Sequence, residues 1–186
     1  ICHHSLSPKL KLSFLVIKAL FILQFDIFIL LKHANIRNVP YICPTSVIYL
    51  DMLYYIKKYP VSLLIILVVI YLSFFRPPST ELSKIPNIDK IVHFCMYFGM
   101  SGMLWLEFLR THRKGDSPMW HAWVGAFICP VLFSGCVELL QEYCTTYRGG
   151  DWLDFTANSL GAIFASLIGY YWVRPRMLKQ TIKGKQ

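Results

Sequence analysis

Charge is what this chain has least of. Only 16% of its 186 residues are Asp, Glu, Lys or Arg, against 55% hydrophobic residues and a mean hydropathy of +0.47. A soluble domain of ordinary composition carries about 25% charged residues. The deficit is organised along the chain, with apolar runs long enough to span lipid alternating with short charged connectors. Paired cysteines are missing as well. Six cysteines are present without any C-x-x-C pair, and Cys95, Cys129 and Cys136 fall inside apolar runs, where small thiols are packing residues. That argues against a disulfide framework and against zinc held by thiolates. An initiator is also lacking, since residue 1 is Ile and the first methionine is Met52.

The formal net charge of +9 does not point to nucleic acid. Most Lys and Arg sit at the edges of apolar runs, as the cytoplasmic flanks of membrane helices do.

Residues 1–51 stand apart from the remainder. Their apolar stretch, Leu12 to Leu31, is interrupted by Lys18, Gln24 and Asp26, and charges in mid-span cost a few kcal/mol each on insertion scales. Three origins stay open: a fifth membrane helix, a signal sequence, or upstream translation. A signal peptide fits poorly because no small-residue cleavage site follows, and upstream translation is favoured over a genuine helix.

From Met52 the pattern is that of an all-α chain, a four-helix transmembrane bundle in residues 52–173 followed by a basic cytoplasmic tail in 174–186. Spans are expected near Tyr59–Phe75, Ile91–Leu109, Trp120–Leu140 and Trp152–Val173. The first is short for a hydrocarbon core of ~30 Å, so Tyr54, Tyr55 and Tyr59 are expected to anchor it at the interface. Trp120, Trp123, Trp152 and Trp172 lie near span ends, as aromatic belts do. Ten Lys and Arg fall on one side (Lys57, Lys58, Arg110, Arg113, Lys114, Arg174, Arg176, Lys179, Lys183, Lys185) and four on the other (Arg76, Lys84, Lys90, Arg148). The positive-inside rule therefore places residues 52–58, the 110–118 loop and the C-terminus in the cytoplasm.

The outward ends carry the chemistry. Asp89 and His93 are four apart and share one helix face, and His93 opens an apolar portion where an unpaired imidazole is costly. Glu138, Gln141 and Glu142 form one stripe at the end of the third helix. There a carboxylate opposes the helix dipole and needs a compensating partner or a proton. Asp151, Asp154 and Asn158 follow at i, i+3 and i+7, and the same face continues as Gly161, Ala165 and Gly169, small residues that permit close helix approach. For Asp89, Asp151 and Asp154, helix capping is the plainer alternative.

These residues resemble the VanZ-like membrane family: D-K-x-x-H at Asp89, Lys90 and His93; E-x-x-Q at Glu138 and Gln141; then Arg148, Asp151, Asp154, Asn158 and Gly161. The resemblance spans about Met52 to Tyr171. It implies a four-helix protein of the bacterial cytoplasmic membrane, in a family named after a factor giving low-level resistance to the glycopeptide teicoplanin. It implies no particular reaction.

Two readings of function follow. In the first, the protein binds or modifies an envelope lipid or a lipid-linked cell-wall intermediate at the outer leaflet. Glu138, His93 and Asp154 are the catalytic candidates, with Glu138 or His93 as acid/base group. Asp89, Lys90, Gln141, Arg148, Asp151 and Asn158 bind substrate, Arg148 meeting a phosphate or carboxylate. No metal is assigned, but Asp89, His93, Glu138 and Asp154 form a donor set suited to a divalent cation such as Mg²⁺, Mn²⁺ or Zn²⁺. In the second reading the cluster is a structural network and the protein modulates the membrane or a partner. A transporter lacks a continuous polar path unless the chain oligomerises, a state the sequence leaves open. A product started at Met52 is expected to retain full function, measured by complementation; loss of function on that truncation gives residues 1–51 an essential role.

Overall fold

A computed structural model describes residues 56–74, 87–112, 117–144 and 149–183. Residues 1–51, Tyr54, Tyr55 and Arg148 lie outside the described residues. Among those described the chain is helical throughout, with no strand. Helix α1 is Pro60–Phe74 and α2 is Ile88–Thr111. Helix α3 runs Trp120–Trp123, widens into a π segment at Val124–Ile128, and continues as Cys129–Cys144. Helix α4 runs Trp152–Ile168, passes a second π segment at Gly169–Val173, and continues as Arg174–Lys183. Residues 174–183 of the expected basic tail thus prolong α4. Arg176 stacks its guanidinium 3.8 Å above the Trp172 ring, and basic side chains in the closing turns suit the negative end of the helix dipole.

The helices alternate in direction, and buried polar contacts show how. Helix α1 is apolar nearly all round, so its own periodicity barely orients it. Its buried positions are Ser62, Ile66, Val69 and Ser73, a stripe at helical spacing. Both ends of that stripe are held by side chains of other helices. At the start, Pro60 occupies a position where a missing N–H costs nothing. The next two amides, of Val61 and Ser62, donate to the Glu107 carboxylate of α2 at 3.0 and 3.1 Å. At the far end the Gln141 amide of α3 donates to the Ser73 carbonyl at 2.7 Å. An anion thus meets the positive end of α1 and a donor meets its negative end. Tyr59 is not an interfacial anchor. It is 5% exposed and packed in the core, because it precedes the helix start that Glu107 draws inward.

Helix α3 contains a proline, Pro130, fully buried in its interior. Proline supplies no N–H to the carbonyl four residues earlier and crowds it. That carbonyl belongs to Ala126, within the π segment, and it accepts the Ser101 hydroxyl of α2 instead. Ser101 also lies 3.4 Å from the Ser166 hydroxyl of α4, so this bond sits where three helices meet. The π segment absorbs the register change that proline imposes.

Helices α2 and α4 approach most closely, through the small-residue face. A Cβ at Gly161 would lie 2.9 Å from the Phe98 amide nitrogen and would collide with the Phe94 carbonyl. At Gly169 a Cβ would lie 2.7 Å from Cγ of Trp105, whose indole is buried against Trp123 and Tyr170. Trp120, Trp152 and Trp172 point outward, while Trp123 turns into this aromatic cluster.

The outer surface is apolar, with Leu64, Leu67, Leu132, Leu139, Leu160 and Phe164 all exposed. A water-facing bundle carries polar residues at such positions. Among the described residues two helices, Ile88–Thr111 and Trp120–Tyr143, are long and apolar enough to cross a membrane. Glu107→Ala strips one buried and one half-buried amide of their acceptor, and the expected loss is about 1–3 kcal/mol. Thermal unfolding of the variant in detergent checks this, and an unchanged melting temperature contradicts the clamp.

Candidate functional site

The end of the bundle opposite Glu107 gathers ionisable groups from α2, α3 and α4. Helix α2 begins after Asn87, which takes a left-handed conformation with φ 62°, a geometry asparagine tolerates better than most residues. Its first turns present Asp89, Lys90 and His93. The start of α4 is capped by Asp151, whose Oδ1 accepts the Leu153 amide at 2.8 Å. The other Asp151 oxygen accepts from Lys90 at 2.5 Å, and Lys90 also donates to Asp154 at 2.6 Å and to Asp89 at 3.0 Å. An ammonium has three protons, and these three carboxylates use them all.

Beneath this rim lies a buried relay. Asp154 is 3% exposed and His93 5%. The Asp154 oxygen not used by Lys90 faces His93 Nε2 at 3.6 Å. The other imidazole nitrogen, Nδ1, lies 3.2 Å from Oδ1 of Asn158, and Asn158 in turn donates through Nδ2 to the Ser134 hydroxyl at 2.8 Å. Asn158 thus holds the imidazole through Nδ1 and turns Nε2 toward Asp154, which orients the ring.

Glu138 completes the cluster from α3. Its Oε2 accepts the Asp151 amide at 3.1 Å, and Glu142, one turn on, accepts the adjoining Gly150 amide at 2.9 Å. Two carboxylates at the negative end of α3 are thereby stabilised by amides at the positive end of α4. Gly150 makes the contact feasible, because a Cβ there would lie 2.6 Å from the Glu138 carbonyl. His93, Glu138 and Asp154 each offer a ligand atom, all within 4.8 Å of one another. They can hold a metal ion.

Of the residues singled out in the sequence, Lys90, His93, Glu138, Asp151, Asp154 and Asn158 come together. Asp89 sits on the exposed rim, bound to Lys90 and outside the buried donor set. Gln141 is fully buried but turned to the Ser73 carbonyl of α1. Arg148 lies outside the described residues. Ser134 and Tyr97 were missed. Ser134 lies one turn before Glu138 on the same face, a spacing visible in the sequence. The Tyr97 hydroxyl is buried close to Ser134 and Glu138, one turn after His93.

The chain matches the family model described as VanZ/LLP1 over residues 12–174. It belongs to the VanZ/LLP1 family. The match takes in the apolar stretch before Met52 as well as the bundle. No curated protein and no solved structure matches the chain.

In this VanZ/LLP1 protein the carboxyl of Asp151 is held below the usual carboxylate range, first by the hydrogen bond from Lys90 and then by the Leu153 amide. A depressed folded-state pKa adds stability that is complete above the unfolded value of about 3.9 and fades as pH falls through the folded value. The melting-temperature gap between wild type and Asp151→Asn is therefore expected to stay constant from pH 7 to about 5 and to shrink below about 4. A gap that widens in acid contradicts the Lys90 pairing.

Proposed function

We propose that this protein is a multi-pass protein of the bacterial cytoplasmic membrane that binds or acts on an envelope lipid or lipid-linked cell-wall intermediate at the outward face. Through that it contributes to glycopeptide (teicoplanin) resistance. The observation that carries this reading is convergence. Three helices place their ionisable residues at a single end, and Asp154, Glu138 and His93 are all less than a tenth exposed. Burial of this kind is costly unless the groups serve one another or a ligand.

The surroundings suit an amphipathic ligand. A groove of about 610 Å³ runs between α3 and α4, walled by Val131, Leu132, Leu139 and Phe155, and Glu138 and Asp151 reach its polar end. An acyl or prenyl chain occupies the apolar part and its head meets the cluster. There His93, oriented by Asn158 with Asp154 beside it, or Glu138 serves as acid/base group, Lys90 and Asp151 form the rim, and Arg148 meets a phosphate or carboxylate. Basic flanks put both ends of the 52–186 region in the cytoplasm.

A second, non-enzymatic reading is favoured by one observation. Gln141, Glu142 and Asp151 each bind a backbone group at a helix end, as a purely structural network does. Teicoplanin susceptibility separates the two. Cells expressing Glu138→Ala or Asp154→Ala are expected to contain stable, correctly inserted protein and to lose the wild-type resistance. Variants that keep full resistance, or that are lost from the membrane, favour the structural network.

A further inference from the structure

We infer that His93, Glu138 and Asp154 form a site for one divalent transition-metal ion of the zinc or manganese class. The inference deepens the proposed function and rests on it only for what the ion meets next, not for the ion itself.

The geometry around His93 is the first ground. Asn158 donates its Nδ2 to Ser134, so its Oδ1 is the atom facing His93 Nδ1. That acceptor places the proton of a neutral imidazole on Nδ1 and leaves the Nε2 lone pair directed at the Asp154 carboxylate, 3.6 Å away. Two acceptors facing each other repel unless a positive centre lies between them. The spacing is wide for a direct hydrogen bond and close to the edge of a ligand tetrahedron. With metal bonds of about 2.0–2.2 Å, that edge is about 3.3–3.5 Å. Bringing Glu138 in from at most 4.8 Å takes a shift of roughly 1–1.5 Å, within reach of a carboxylate rotation.

The buried surroundings give the second. Tyr97 is 1% exposed, lies beside Ser134 and Glu138, and its hydroxyl oxygen has no hydrogen-bond partner of acceptable geometry. A water or hydroxide on the fourth position of the ion supplies one. Charge gives the third. Among the described residues Lys90 is the one ammonium at this end, and its protons are committed to Asp89, Asp151 and Asp154, while Glu138 and Glu142 accept backbone amides. One imidazole with two carboxylates suits zinc or manganese better than calcium, which takes oxygen donors alone. Three protein ligands with a position left open is the arrangement of reactive rather than purely structural sites. The open position explains how a cluster of carboxylates receives an anionic phosphate head: the ion offers the positive charge that the acids otherwise withhold.

The untagged full-length chain, reconstituted in zwitterionic nanodiscs and stripped with a chelator, is titrated with Zn²⁺ or Mn²⁺ alone. Wild type is expected to bind about one ion per chain and to melt at a higher temperature when loaded. Asn158→Ala is expected to weaken binding about 10–100-fold, and His93→Gln, Glu138→Gln and Asp154→Asn at least as much. Glu107→Gln, at the opposite end, leaves binding unchanged. Pulsed EPR of wild type with Mn²⁺ is expected to show nitrogen coupling from one imidazole, a readout that needs no variant. A wild-type chain that binds neither ion, an ion without nitrogen coupling, or site variants that bind as wild type overturn the inference. Since no envelope-lipid substrate or antibiotic is used, such a result leaves the lipid reading standing, and a failed susceptibility test leaves the metal site standing.

Discussion

A carboxylate withdrawn from water into an apolar bundle has to meet a donor, a cation or a proton, and this constraint governs how the four helices are arranged. Glu107 cannot sit within α2 unless the start of α1 comes to it, which fixes α1 antiparallel to α2. Glu138 and Glu142 cannot sit at the negative end of α3 unless the start of α4 folds back over them. Dispersion and apolar contact have little directional preference in such a bundle. The carboxyl groups supply the direction; Gly150 lets the start of α4 close on Glu138, and Gly161 lets α4 close on the α2 backbone.

Much of this was legible in the sequence because it depends on periodicity. The spacing of Asp151, Asp154 and Asn158 with Gly161, Ala165 and Gly169 put a polar and a small-residue segment on one face. Those six positions face inward toward α2, with Asp151 at the rim. The convergence of Lys90, His93 and Glu138 with that face followed from assigning the helices to alternating directions. What could not be read was pairing across helices. Glu107 is a single acid in an apolar run, and nothing in its local pattern says that its partners are amides 45 and 46 residues earlier. Gln141 shares a stripe with Glu138, yet a rotation of less than one turn sends it to α1 instead of the cluster. Pro130 is legible as a helix fault, but the serine that repairs it lies on another helix.

Helix capping and site chemistry were posed as alternatives for Asp151, and its geometry joins them. One oxygen caps α4 while the other binds Lys90. A cap fixes the carboxylate in one orientation at the cost of no extra side chain, so the second oxygen is held where an ammonium can reach it. The same economy appears in Glu138, which stabilises the start of α4 through Oε2 and remains part of the buried donor set. Substituting either residue therefore alters the helix end and the cluster together, and only isosteric changes separate the two.

The two ends of the bundle differ in a way that bears on function. At the Glu107 end one carboxylate receives two amides of α1, and the ionisable group there has its donors, while the Ser62 hydroxyl and the Trp105 indole N–H are buried without a hydrogen-bond partner. At the other end several ionisable groups share one cluster. Among the described residues carboxylates outnumber ammonium groups there, a histidine nitrogen faces a carboxylate at 3.6 Å, and a groove of about 610 Å³ leads to the cluster. A fold needing only to hold its helices together gains nothing from that surplus, because apolar replacements of similar volume are often neutral or stabilising in such positions. Surplus buried charge beside an accessible groove is stable when something of opposite charge comes to it, and that is the physical basis on which the proposed site rests.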